Sequence, residues 1–442
     1  MGRWLKNATF APAAGADIRC ANNLHLMKIL HTGDWHLGKQ LYGHSRIDEQ
    51  RAVLSQLSDA VATHRPDALL ICGDVFDTTT PPLAAKQLYN ETLLRLRQVS
   101  PSTAIIVIAG NHDSKGMLEV DGTVWQAVGI TVLGNVERTE EGAVDLRRHI
   151  VPILSADGAE VGVVVAVPHI YDNGYPELPG APEGAARRSH FFAALADEVR
   201  ACYDERLPRV LMAHLALTDS DSRGHRVRRD ALSGTDIIGG LDCVDRAELG
   251  SDYDYIALGH IHREQQWRSG HTTIRYSGSP LAYTFDEGGA HSLSLVTVDR
   301  GEEPVVQRIE LQPPVPLATL PDEPLPFREA LAAAVAQMPD RRSYLRLHVL
   351  ANEPLPPNHN VEIAQQLDAS LWTYCTMLQR SLLPDEADAP LSPSDAEQPM
   401  ALPDALQLAT DYYQQLYGPM PPSLVAKLQQ AFALANEADA PL

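Results

Sequence analysis

Residues 104–113 read Ala104-Ile105-Ile106-Val107-Ile108-Ala109-Gly110-Asn111-His112-Asp113. An apolar run without polar alternation describes a strand covered on both faces, as in a parallel sheet flanked by helices. The run stops at a glycine, and an amide, an imidazole and a carboxylate follow at once. In open α/β sheets the carboxyl ends of strands form the functional edge. The same arrangement recurs outward from this stretch. The strand pattern at 27–31 leads into Gly33-Asp34-Trp35-His36, and the buried run at 68–72 into Gly73-Asp74. Val210-Leu211-Met212-Ala213 ends in His214, and the run at 255–258 leads into Gly259-His260-Ile261-His262.

Helical patterns separate these strands. One is expected over 45–64, opened by Ser45 as a capping residue, with Ile47, Val53, Leu54 and Leu57 at helical spacing; others fall at 82–99 and 189–203. Alternating segments at 272–276, 292–298 and 305–311 look antiparallel and suggest a second sheet beside the first. The fold class is therefore α/β. The core-bearing domain is expected over 27–312, and the Pro-rich stretch 313–326 reads as a linker. A small α-β-α-β unit follows over 327–384. Residues 385–402, rich in Asp, Glu, Pro, Ser and Ala, read as a flexible tether. Two amphipathic helices are expected within 403–438, with Leu408, Tyr412 and Leu416 on one and Leu424, Leu428 and Phe432 on the other. Residues 1–26 lack a strand or leader pattern and read as a disordered extension, with Met27 as the expected natural start.

Composition narrows the class. The chain has 442 residues, 44% hydrophobic and 21% charged, which is ordinary for a globular protein of more than one domain. Cys20, Cys72, Cys202, Cys243 and Cys375 are scattered and odd in number, which argues for a reducing, cytoplasmic setting and against a disulfide framework or a structural zinc site. No apolar run approaches the roughly 20 residues of a membrane span. The net charge of −21 weighs against global attraction of nucleic acid. Any such binding must rest on local charge.

The donors at the strand ends supply that charge once cations bind. Asp34, His36, Asp74, Asn111, His214, His260 and His262 offer carboxylate, imidazole and amide oxygen with no thiolate, a set suited to Mn²⁺, Fe²⁺ or Zn²⁺. Two divalent ions against Asp34 and Asp74 leave a positive centre for a phosphodiester, and Asp74 is the candidate bridge. Asp34 and His36, at i and i+2, would point the same way on extended backbone, and the preceding glycines would permit sharp turns out of the sheet.

Asp34-x-His36, Gly73-Asp74-x-x-Asp77, Gly110-Asn111-His112-Asp113, His214 and Gly259-His260-x-His262 resemble the five motifs of the calcineurin-like metallophosphoesterases. The segments 31–38, 73–77 and Ser277-Gly278-Ser279-Pro280 are similar in wording to the SbcD-like branch, nuclease subunits of bacterial break-repair complexes. The resemblance implies a β-sandwich flanked by helices (α/β/β/α) with a capping domain at 327–384. It implies one Mn²⁺ on Asp34, His36, Asp74 and His262 and a second on Asp74, Asn111, His214 and His260. His112 would be the catalytic acid. Asp113 would orient it or, equally, cap the following turn. Thr78-Thr79-Thr80 stand where the family's protein phosphatases carry Arg-Gly, which lowers the phosphatase reading; Asp77 stands where some archaeal relatives carry histidine, and its role stays open.

The same resemblance implies 3′→5′ double-strand exonuclease and structure-selective endonuclease activity, on hairpins for example, in break processing, recombination and replication. It also implies a homodimer and an SbcC ATPase partner docked by the helices of 403–438. Arg223, Arg226, Arg228 and Arg229 form the densest basic run, and with Lys39, Tyr42 and Arg46 they are the candidate DNA contacts. A small-molecule or cyclic-nucleotide metallophosphodiesterase shares the same donors and is the alternative; a non-catalytic scaffold that kept its metals is a third reading.

Overall fold

The computed structural model describes residues 26–136, 138–179, 187–220, 226–227, 243–351, 354–380 and six positions between 420 and 428. The chain divides into two compact units, 1–380 and 381–442, and the architecture below is that of the first. The expected extension 1–26, the tether 385–402 and the docking helices of 403–438 lie outside the described residues, apart from residue 26 and those six positions.

Twelve strands form two six-stranded sheets. In chain order they are β1 (Met27–Thr32), β2 (Ala68–Cys72), β3 (Ala104–Ile108), β4 (Ile130–Leu133), β5 (Ile150–Leu154), β6 (Glu160–Val167), β7 (Arg209–His214), β8 (Tyr255–Gly259), β9 (Gln265–Ser269), β10 (Thr272–Tyr276), β11 (Ser292–Val298) and β12 (Val305–Glu310). The first sheet runs β12-β11-β1-β2-β3-β4 and the second β9-β10-β8-β7-β6-β5. β1 to β4 pair in parallel, as do β6, β7, β8 and β10; the antiparallel strands lie toward the edges.

Strand alternation explains the layering. On β1, Met27 and Ile29 face the second sheet and pack with Val164, Ala166, Val210 and Met212, whereas Leu30 faces outward. The outward side of the first sheet is covered by α1 (Ile47–His64) and α2 (Leu83–Val99), through Val53, Leu54, Leu57, Leu88 and Leu93. α3 (Arg187–Cys202) covers the second with Phe191, Leu195 and Val199. The result is the expected α/β/β/α sandwich. Each such fully buried side chain contributes roughly 1.5–3 kcal/mol. A polar peg crosses the interior: His31 on β1 places Nδ1 2.9 Å from the Tyr255 hydroxyl and Nε2 3.1 Å from the Leu258 carbonyl of β8. Burial pushes His31 down to about 3, so the ring is neutral and joins the sheets without a buried charge.

Three expectations change here. The segments 272–276, 292–298 and 305–311 do not build one antiparallel second sheet: β10 joins the second sheet in parallel with β8, whereas β11 and β12 extend the first sheet antiparallel. Ser45 does not cap α1, because His44–Ser45 pairs with Gln40–Leu41 as a small hairpin; the cap position falls to Arg46, and Asp48 and Glu49 supply negative charge in the first turn. Nor is 313–326 a linker. Leu317–Leu325 forms β13, pairing in parallel with β14 (Ser343–Leu350), beside which lies β15 (Trp372–Arg380). Pro321 and Pro324 lack an N–H, and an edge strand with a register shift between Leu320 and Leu325 tolerates them. The small subdomain thus begins at the strand and is closed by α4 (Phe327–Ala336) and α5 (His359–Gln366). Its core holds Leu320, Phe327, Leu331, Leu345, Leu347, Ile363 and Trp372. Among the described residues no helix is long and apolar enough to cross a membrane.

Candidate metal centre

Parallel strands of both sheets end at one edge, and the candidate donors sit at or just past those ends. The chain leaving β1 and the chain leaving β2 run side by side: Asp34 N donates to Gly73 O, His36 N to Asp74 O and Leu37 N to Val75 O, each at 2.9 Å. The backbone is not extended there. Asp34, His36, Asp74 and His260 have φ of 52°, 41°, 48° and 104°, so it is left-handed turns at the ligands themselves that aim the side chains inward. Of the preceding glycines only Gly73 has a left-handed φ, 84°. Gly110 and Gly259 serve close approach instead. A Cβ on Gly110 would lie 2.0 Å from Asp74 Oδ1, and one on Gly259 would lie 1.9 Å from the Cys72 carbonyl.

All seven expected donors converge. Asp34, His36 and the half-buried His262 form one group, and the buried Asp34, Asp74 and His214 another. Asp74 faces both: Oδ2 is 3.5 Å from His36 Nε2, and Oδ1 is 3.5 Å from His214 Nε2. Nε2 of His36 and Nε2 of His262 confront each other at 3.0 Å. Asn111 Oδ1 lies 3.0 Å from both His214 Nε2 and His260 Nδ1.

These contacts suit cations. Asp34 Oδ2 is buried with no hydrogen-bond partner among the described residues. Burial pushes the Asp34 carboxyl up, against the pull of His214, as expected for a carboxylate without its counter-ion. Burial lowers His36, and lowers His260 to about 3, so both are neutral and ready to ligate. Burial also acts to lower His214, but Asp74 and Asp34 outweigh it and bring the ring to about 9. Oxygen and nitrogen donors without thiolate fit Mn²⁺, Fe²⁺ or Zn²⁺. Cys72 is no competitor, for its Sγ points to the Ala257 carbonyl and burial holds its thiol protonated.

A second ring of partners orients the imidazoles, as is usual for metal-ligating histidines. His214 Nδ1 is 2.8 Å from the Cys72 carbonyl, His36 Nδ1 is 3.3 Å from Asp77 Oδ1, and His262 Nδ1 is 3.3 Å from Glu287 Oε1. Asp77 thereby acquires a place, shared with Lys39 at 2.8 Å. His112 is exposed at the rim, its Nδ1 2.9 Å from the Asp77 carbonyl, with its ring 4.8 Å from that of His36.

Asp113 does not touch His112. Its carboxylate accepts from Val75 N, Phe76 N and Gly110 N at 3.1, 2.8 and 2.8 Å, bracing the loop after β2 against the loop after β3. Neither expected role is what these contacts describe: the carboxylate bonds to the two preceding loops, not to His112 and not to the turn that follows. Arg46 is likewise structural. It is 1% exposed, pairs with Glu49 at 2.7 Å, donates to the Ala282 carbonyl at 2.8 Å and lies over the Tyr344 ring, so it has no reach to DNA. Tyr42 is 54% exposed beside Phe285. Arg223, Arg228 and Arg229 lie outside the described residues, and Arg226 falls in the short strand Arg226–Val227. Glu287, Tyr283 and His169 were not legible. The Tyr283 hydroxyl donates to the Trp35 carbonyl, and His169 Nδ1 lies 3.2 Å from the His214 carbonyl. All three occupy irregular segments, where no periodicity or motif marks them.

The family model of the calcineurin-like phosphoesterases matches residues 27–264. Three curated relatives are named as the D subunit of nuclease SbcCD. That of Rhodobacter capsulatus is 34% identical over 78% of this chain and 84% of its own length. That of Escherichia coli K12 is 33% identical over 80% and 85%, and that of Bacillus subtilis 34% over 66% and 71%. With its metal-suited donors at the strand ends, this chain belongs to the calcineurin-like phosphoesterase family and, within it, groups with the SbcD proteins.

Proposed function

We propose that this chain is the Mn²⁺-dependent nuclease component of an SbcCD-type complex and hydrolyses DNA phosphodiesters. The observation that carries the reading is Asp74, whose two oxygens address separate donor groups, on a chain one-third identical to SbcD nucleases. Asp34, His36, Asp74 and His262 would hold one ion, and Asp74, Asn111, His214 and His260 the other. When bound, such ions supply Lewis-acid polarisation of the phosphoryl group and a lowered pKa for the attacking water.

The protein's own groups do the rest. The Cys72 carbonyl accepts a hydrogen bond from His214 Nδ1–H and leaves Nε2 for ligation. The Asp77 carbonyl accepts a hydrogen bond from His112 Nδ1–H, which stays on the ring, so Nε2 of the imidazolium at the exposed rim is the atom that would give a proton to the departing oxygen and leave a neutral imidazole. The acidic surface then matters little to binding, because the phosphate meets local positive charge. The small subdomain over 317–380 acts as the cap over the substrate path, and the segment 403–438 docks the SbcC ATPase. The chain works as a cytoplasmic homodimer, with 3′→5′ double-strand exonuclease and hairpin endonuclease activity. The test is cleavage of a DNA hairpin by the chain with Mn²⁺, SbcC and ATP. Turnover of bis-p-nitrophenyl phosphate without any hairpin cleavage would refute the DNA assignment and leave a small-molecule phosphodiesterase.

A further inference from the structure

The loop of residues 281–287 follows Ser277-Gly278-Ser279-Pro280 and is gripped from two sides. On the side of the centre, Glu287 Oε1 lies 3.3 Å from His262 Nδ1, and the Tyr283 ring stands edge-on to His36 at 5.3 Å and to His262 at 5.7 Å. The Tyr283 hydroxyl holds the carbonyl of Trp35, the residue between Asp34 and His36. Within the loop, Glu287 Oε2 accepts Tyr283 N at 3.0 Å. On the side of the small subdomain, Arg346 on β14 donates to Asp286 Oδ1 at 2.9 Å, and its guanidinium lies 5.2 Å from the centroid of the Phe285 ring. Arg346 is itself steadied by Thr319 Oγ1 of β13 at 3.0 Å. A second grip runs through Arg46, which holds the Ala282 carbonyl and lies under Tyr344, whose hydroxyl donates to Glu49 at 2.8 Å.

We propose that Glu287 is a positioning residue for His262, and that Arg346 keeps the loop carrying Glu287 in place. Occupancy of the ion site at Asp34, His36, Asp74 and His262 then depends on the seating of the small subdomain. The inference rests on the metal-centre reading above. An imidazole whose Nδ1–H is given to a carboxylate presents the Nε2 lone pair in a fixed direction and with raised basicity. Glu287 supplies that carboxylate. Its neighbours Phe285 and Asp286 are the residues Arg346 holds, so a displaced small subdomain withdraws Glu287 from His262 without touching any ligand. Among the described residues the other ion site shows no such tie: His214 is oriented by a backbone carbonyl deep in the sandwich.

The experiment titrates the full-length chain with Mn²⁺ by calorimetry and by electron paramagnetic resonance. The unsubstituted chain should bind two ions and show a spin-coupled pair. Glu287→Gln, close in shape, should weaken one site about 10- to 100-fold and leave the other within about threefold. At two equivalents its spectrum should lose the coupled pair and gain a solvated Mn²⁺ signal. Arg346→Leu should weaken the same site by a smaller factor. The double variant should be no weaker than Glu287→Gln alone, because the two act in series. Arg346→Lys, which keeps a cation for Asp286, should restore part of the loss. A normal pair in Glu287→Gln would overturn the proposal, as would equal weakening of both ions, the mark of a mere loop brace. Failure of the unsubstituted chain to bind a pair would overturn the metal-centre reading itself, and the proposal with it.

Discussion

Gly110→Ala is the sharpest perturbation of the centre, because it adds one methyl group and removes no ligand. The new Cβ would stand 2.0 Å from Asp74 Oδ1, 2.3 Å from Asp74 N and 2.7 Å from Asp74 Cγ. Ordinary contact begins near 3.4 Å, so the loops after β2 and β3 must part by roughly 1.4 Å. Overpacking of this kind costs about 1–3 kcal/mol, which a sandwich of this size survives. The carboxylate does not survive it in place. Asp74 faces His36 on one side and His214 on the other, so its displacement degrades both donor groups together. A 1 Å misplacement of a reacting group lowers rates by about 10²-fold, and that is the expected minimum loss in bis-p-nitrophenyl phosphate turnover. Mn²⁺ calorimetry should show both sites weakened, and a melt in chelator should show a folded protein. Gly116→Ala is the control. Nothing lies within 4 Å of its Cβ, and its helical position should gain about 0.5–1 kcal/mol with activity unchanged. Wild-type Mn²⁺ binding and turnover in Gly110→Ala would refute the reasoning, since Asp74 could not then be where both ions need it.

Other outcomes follow from the same contacts. His112→Ala should keep both metals and the melting temperature and lose about 10²–10⁴ in turnover, whereas loss of metal would contradict its role as proton donor. Asp113→Ala should instead lower the melting temperature. It strips three buried amides of their acceptor, at about 1–3 kcal/mol each, and a chelator melt that matches wild type would dismiss the brace. Arg46→Met leaves Glu49 buried without its partner and should destabilise by about 3–5 kcal/mol with KM for DNA unchanged; a stable variant with raised KM would return Arg46 to the DNA path. In the metal-free chain His214 is held at about 9 against an ordinary 6.5, so its protonated form adds stability that is complete below pH 6.5 and gone above about 9. Ligation requires the deprotonated ring, so Mn²⁺ affinity should rise across that window and binding at pH 7 should release a proton, measurable by calorimetry in buffers of different ionisation enthalpy.

The sandwich was legible because its central strands are nearly pure apolar runs, and four of the five that carry donors reach them through a glycine. The ligand set was legible for the same reason, since every member sits at the end of a buried strand or within a few residues past it. The manner of convergence was not. Extended geometry at Asp34 and His36 was a reasonable inference from i, i+2 spacing, but backbone hydrogen bonds to Gly73 and Asp74 impose left-handed turns that spacing does not encode. Prolines hid β13, because edge pairing and a register shift accommodate what a central strand would reject. Arg46 looked like a surface cation, and only Glu49, Ala282 and Tyr344, the latter two more than 200 residues away, reveal it as core. Glu287 lies in a turn with no periodicity, and its meaning depends wholly on His262.

The left-handed conformations of Asp34, His36 and Asp74 bear on how such a chain could change over time. Each position holds a side chain that a glycine would occupy with less strain, at a difference of roughly 1 kcal/mol or more. The backbone is therefore already shaped for residues without chemistry. A copy released from selection for hydrolysis would gain stability by small steps at the ligand positions themselves, and could drift into a better-folded protein with no activity. Conversely, stabilisation screens that do not assay turnover should keep returning substitutions at these positions, and such hits would report the strain of the site and not a defect in the fold.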